Sequence, residues 1–81
     1  MQTIQKTNIE SRVTKIIADQ LSHPIDMIKL DGSLVDCGAD SLDQVEIVLA
    51  CEDEFGILID DEQAWKLDRV QQFVDAVRAK V

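Results

Sequence analysis

At 81 residues the chain has room for one small domain (1–81), and a core of that size leaves only about 3–5 kcal/mol of net stability, so a deep catalytic cleft or a second domain is not expected. Sixteen Asp and Glu against eight Lys and Arg give a formal charge of −8, which repels nucleic-acid phosphates and anionic membranes and favours basic partners. No apolar run approaches the roughly 20 residues that cross a bilayer, and residues 1–10 lack the cationic start and hydrophobic stretch of an export signal, so the expectation is a cytoplasmic monomer without membrane insertion.

Thr7 and Glu10 have the spacing of a capping box, and Ile9, Val13, Ile16, Ile17 and Leu21 follow at helical intervals. They predict a first amphipathic helix over about 8–21, stopped by His23-Pro24. Residues 22–39 hold Pro24, Gly32 and Gly38 around isolated apolar residues and read as a long, partly packed loop, a length uncommon without a functional reason. A second helix opens at Asp40, with Asp43 in its first turn, and runs to about residue 55 before Gly56 ends it. Ile57-Leu58-Ile59 is a connector rather than a strand. Asp60 and Gln63 predict a short third helix through about Trp65. Asp68 and Gln71 give another capping-box pattern, and Val70, Phe73, Val74, Val77 and Val81 trace the stripe of a fourth helix. The expected fold is all-α: a small four-helix bundle with a short third helix and a long loop between the first two.

The second helix has more apolar surface than one core face requires. At 100° per residue, Ile47, Val48, Cys51 and Phe55 share one side, while Leu42, Val45 and Leu49 form another stripe flanked by Glu46, Glu52 and Asp53. Either the long loop covers that second stripe or it is a docking face, with apolar contact area and acidic steering. Residues 31–65 contain eleven acids and no Lys or Arg, a block that reads either as a solvated face or as a partner-docking surface. Cys37 and Cys51 are too few for a disulfide scaffold and lack zinc-site spacing, so both read as reduced, small, mostly buried side chains.

Ser41 follows Gly38-Ala39-Asp40 at the first position of the second helix, where its hydroxyl should be exposed. Helix-start amides and the dipole favour an anion such as a phosphate there, although Asp40 and Asp43 oppose that attraction. Asp40-Ser41-Leu42, with Gly38-Ala39 before it and Asp43, Val45-Glu46, Glu52-Asp53-Glu54 and Phe55 after it, closely resembles the acyl carrier proteins of bacterial fatty-acid-synthase type, and the likeness spans nearly the whole chain. The resemblance implies that Ser41 is esterified by 4′-phosphopantetheine taken from coenzyme A. The thiol of that arm would bear acyl groups as thioesters for fatty-acid or related lipid and polyketide biosynthesis. It also implies that Asp40, Leu42, Asp43, Val45, Glu46, Leu49, Glu52 and Asp53 face a phosphopantetheinyl transferase and then the acyl-transfer, condensing and other enzymes that carry basic patches, the protein having no catalytic activity of its own.

Several positions depart from that family's pattern. Cys37 and Cys51 stand where Leu is common, Asp60 where proline is, Trp65 where a polar residue is, Asp68-Arg69 where Thr-Thr is, and His23-Pro24 in a loop usually without proline. These differences point to a specialised paralogue and remove nothing that the carrier role needs. Phe55, Trp65 and Phe73 are the expected aromatic members of the core. A serine hydrolase would need a positioned base, and the lone His23 reads as a solvated loop residue. An EF-hand is absent, because loops counted from Asp31 or Asp36 place Asp36 or Ser41 where Gly belongs, and no metal site is expected. A noncovalent acidic helical adaptor and a peptidyl or aminoacyl carrier remain the alternatives.

Overall fold

A computed structural model describes the backbone of residues 4–81 and the side chains from Ile9 onward. Four α-helices, α1 (Ile4–Leu21), α2 (Ser41–Phe55), α3 (Asp61–Trp65) and α4 (Val70–Lys80), are joined by a long α1–α2 loop containing one 3₁₀ turn at Ile25–Met27. Among the described residues there is no strand, only an isolated antiparallel bridge between Ser33 and Arg69. None of the described helices is long and apolar enough to cross a membrane.

The expected bundle is present, with α1 packed against both α2 and α4. Val13 and Ile17 of α1, Ile47 and Cys51 of α2, and Phe73, Val74 and Val77 of α4 are fully buried, each large aliphatic or aromatic side chain adding about 1.5–3 kcal/mol of hydrophobic stabilisation. Val81 lies past the end of α4 and is exposed, so the apolar stripe of that helix stops at Val77. Trp65 also departs from expectation and is exposed. Its helix is only five residues long, too short to enclose an indole.

The helix starts differ from their sequence signals at two places. The backbone is already helical at Ile4, so Thr7 is not an N-cap; nothing in residues 4–7 resembles a helix breaker. The Thr7 side chain itself lies outside the described residues. At α4 the N-cap position is Arg69 rather than Asp68, and Gln72 rather than Gln71 reaches back, its Oε1 accepting from the backbone N–H groups of Asp68 (2.9 Å) and Arg69 (2.8 Å). The Asp68 carboxylate is committed elsewhere: it accepts from Ser33 Oγ at 2.8 and 3.0 Å.

That commitment shapes the α1–α2 loop. Leu34 N–H donates to Asp68 O (2.9 Å), Val70 N–H to Gly32 O (3.1 Å) and Gln71 N–H to Leu30 O (2.8 Å), stitching the loop to the first turn of α4. Ile28 and Leu34 go into the core, while Ile25, Met27 and Val35 stay exposed. At the loop's other end α1 closes as a Schellman motif: His23 N–H bonds Ala18 O at 3.0 Å and Ser22 N–H bonds Asp19 O at 3.3 Å. This puts Ser22 at φ 58°, a left-handed conformation costing a residue with a Cβ roughly 1 kcal/mol. Ser22→Gly is therefore expected to stabilise the fold by roughly 0.5–1 kcal/mol, read as a rise in thermal midpoint; an unchanged or lower midpoint would show that the strain is absent.

Candidate functional site at the start of helix α2

The backbone after Leu34 coils through successive turns, with Cys37 N–H and Ala39 N–H both donating to Leu34 O at 3.0 Å. Gly38 sits at φ 92°, which a residue with a Cβ adopts only under strain. The loop then enters α2 through a reciprocal capping box. Asp43 N–H donates to Asp40 Oδ1 (2.9 Å), and Asp40 N–H donates to Asp43 Oδ2 (3.1 Å). Capping is thus done by two aspartates, and Ser41, the first residue of the helix, is exposed without being needed for it.

Asp43 is held below the ordinary carboxylate range, first by the Asp40 backbone N–H and then by Gln20 of α1, whose Nε2 donates to it at 3.3 Å. A depressed value means that its contribution to the helix start is present near neutrality and is lost as pH falls through that value. Gln20 also donates to Glu46, so one uncharged side chain braces two carboxylates. The other end of α2 is pinned by a cation: Arg12 bonds the Glu54 carboxylate at 2.6 and 2.8 Å, and its guanidinium lies 4.4 Å from the Phe55 ring centroid.

The second apolar stripe is not covered by the loop. Leu42 (63%), Val45 (40%) and Leu49 (56%) remain exposed, whereas Ile47, Val48 and Cys51 are buried on the other side of the same helix. Asp40, Glu46 and Asp53 are exposed around the stripe and Asp43 is half-buried. Glu52 is half-buried as well, because its Oε2 accepts the Ile59 N–H at 2.8 Å and so anchors the α2–α3 connector. Beside Ser41 is a depression of about 220 Å³ walled by Leu34, Val35, Leu67 and Asp68. A cleft of about 270 Å³ follows between α2 and α3, and Gln44 lines both. Gln44 Nε2 also donates to the carbonyls of Ala64 (3.1 Å) and Leu67, tying α2 to the end of α3.

His23 is not a solvated residue. It is half-buried, with Nε2 at 2.8 Å from Cys37 O, and it tethers the end of α1 to the loop just ahead of Ser41. Cys37 and Cys51 are both free; Cys51 is fully buried, and burial followed by the charges of Glu54 and Glu52 pushes its thiol up to about 12, so it stays protonated. Among the described residues no three His, Cys, Asp or Glu side chains converge so as to hold a metal ion.

The roles of Ser33, Asp68, Gln20 and Gln44 were not visible in the sequence. Each depends on a partner between 20 and 35 positions away, and no local spacing signals it.

A helical scaffold that offers a serine at a capped helix start, beside an apolar stripe edged with carboxylates, is the form of a carrier domain. Residues 11–77 match the phosphopantetheine attachment site family, and the chain belongs to it. It is accordingly a carrier protein whose covalent cofactor is 4′-phosphopantetheine.

Proposed function

We propose that Ser41 is the residue to which 4′-phosphopantetheine is attached and that the protein carries acyl groups. The observation that carries this reading is the exposed hydroxyl at the first position of α2, inside Asp40-Ser41-Leu42, with capping handled by its neighbours. The residues fit the group: the oxygen is accessible, and the depression of about 220 Å³ beside it gives room for a flexible substituent. When bound, the arm supplies a thiol on a long flexible tether that forms thioesters, a reach that neither the loop-held Cys37 nor the buried Cys51 has. The chain's own part is to hold the attachment point rigid and to be recognised, without catalysis of its own.

Recognition falls to Leu42, Val45 and Leu49 as contact area and to Asp40, Asp43, Glu46, Glu52 and Asp53 as steering charge. Partners are the transferase that modifies Ser41 and then cytoplasmic acyl-transfer and condensing enzymes with basic patches. Their attraction is screened beyond about 8 Å at physiological ionic strength, so the encounters are brief and salt-sensitive. The resemblance of the segment from Gly38 to Phe55 to fatty-acyl carriers favours acyl over peptidyl cargo.

Incubating the apo protein with coenzyme A and a broad-specificity phosphopantetheinyl transferase should add one phosphopantetheine mass, mapped by peptide fragmentation to Ser41. An unmodified protein after exposure to several active transferases would favour the noncovalent adaptor instead. Glu46→Lys should raise the transferase KM several-fold at low salt with kcat and helicity unchanged, the difference shrinking as salt is added. An unaltered KM would remove Glu46 from the docking face.

A further inference from the structure

His23 is the only histidine in the chain, and the backbone fixes it from both sides. Ser22 before it is at φ 58°, and Pro24 after it is at φ −62° and disfavours helical backbone at His23. A left-handed serine is strained, and such strain persists where the surrounding structure holds a conformation in place. The result is a half-buried imidazole set as a short, rigid post at the end of α1, with Nε2 2.8 Å from Cys37 O. A carbonyl oxygen only accepts, so Nε2 carries a proton and donates in the neutral and the cationic ring alike. That nitrogen is committed and is no base for Ser41.

The peptide unit joining Cys37 to Gly38 is held at both polar ends. Cys37 O accepts from His23, and Gly38 N–H donates to Val35 O at 3.0 Å. Gly38 follows at φ 92°, and a side chain added there would meet nothing within 4 Å, so no packing keeps the glycine in that conformation. Rotation of this peptide unit is the motion a glycine leaves open. It would shift Ala39 and Asp40, and Asp40 carries the carboxylate that caps α2 immediately before Ser41. Of the two ties, only His23 reaches in from a helix. We propose that His23 is a positioning residue for modification of Ser41: by clamping the peptide unit ahead of Gly38 it keeps the Ser41 hydroxyl in the orientation from which transfer occurs. The inference rests on the carrier reading of Ser41. In that transfer the Ser41 oxygen bonds to the phosphorus bearing the pantetheine, and the bond from that phosphorus to the bridging oxygen of the coenzyme A diphosphate breaks. The adenosine bisphosphate portion leaves, and the hydroxyl proton passes to the transferase. Attack along the line of the breaking bond depends on where the hydroxyl points, and a small misplacement slows it. Affinity for the transferase depends on the α2 face, to which His23 contributes nothing. His23 therefore acts on turnover.

Kinetics with coenzyme A and a phosphopantetheinyl transferase, read beside amide hydrogen exchange, test this role. His23→Ala should lower kcat roughly threefold with KM unchanged, since losing one neutral hydrogen bond shifts a two-state equilibrium by roughly three- to tenfold. His23→Gln, whose Nε2 also donates, should restore most of the loss. The Gly38 and Ala39 amides should exchange faster in the alanine variant and recover in the glutamine one, while the amides of α4 stay as protected as in the parent. Unchanged kcat in His23→Ala, a rise in KM alone, or a glutamine variant no better than alanine would overturn the positioning role and leave the Ser41 assignment standing. Activity lost only in proportion to helicity would overturn it equally, reducing the ring to a stabilising contact. Failure of the parent protein to be modified at all would overturn the carrier reading, and this role with it.

Discussion

Alanine at position 41 is expected to abolish phosphopantetheine incorporation completely, with intact mass after transferase treatment staying at the apo value. The loss should be chemical and not structural. The α2 capping box consists of the Asp40 and Asp43 carboxylates bonded at 2.9 and 3.1 Å to each other's backbone N–H groups, and neither bond involves residue 41. An exposed substitution of this kind stays within about 0.5 kcal/mol of the parent, so the thermal midpoint should hardly move. Ser33 is buried against Asp68 and Thr14 Oγ1 donates to Glu10 O at 2.7 Å inside α1, while the exposed Ser11 and Ser22 lie within and just past α1 and not at the first position of a capped helix. Incorporation persisting in Ser41→Ala would place the attachment elsewhere and refute the assignment.

Phe73→Ala is expected to bring the fold to the edge of stability, with roughly half of the population unfolded at 25 °C. Phe73 is the largest of the fully buried side chains, surrounded by the α1, α2 and α4 core, and truncating such a residue costs about 3–5 kcal/mol. A bundle of this size has only about that much net stability to lose. Weakening of the cooperative thermal transition and partial loss of far-ultraviolet helicity should be accompanied by slower modification, although Ser41 remains in the sequence. A variant that melts cooperatively within a few degrees of the parent would show that the core repacks around the cavity and would contradict the burial argument.

How much of this could be read in one dimension depends on the range of the interaction that fixes each feature. Helix α2 was legible at both ends, because Asp40 with Asp43 and Gly56, at φ 66°, are local signals acting within a few residues. Its two apolar stripes were legible for the same reason, since helical spacing alone separates Ile47 and Cys51 from Val45 and Leu49. The α1 start was misread because a capping-box spacing has force only where the preceding residues resist helix, and those before Thr7 do not. At α4 two overlapping pairs, Asp68 with Gln71 and Arg69 with Gln72, compete, and the choice is made by Ser33, 35 residues from Asp68. Trp65 was read as core along with the other aromatics, but residue type says nothing about whether a one-turn helix has a neighbour to cover it. The candidate serine was legible because its surroundings are local; the walls beside it were not, because Leu34, Leu67 and Asp68 meet only in the folded chain.

Gln20 shows how an anionic surface can be kept stiff without being discharged. A lysine or arginine reaching from α1 would grip Asp43 and Glu46 more strongly, yet it would also neutralise part of the negative potential on which the proposed docking relies. The primary amide immobilises both carboxylates while leaving their full formal charge on display. At the opposite end of the same helix Arg12 makes the reverse bargain with Glu54, muting that acid in return for a firmer hold.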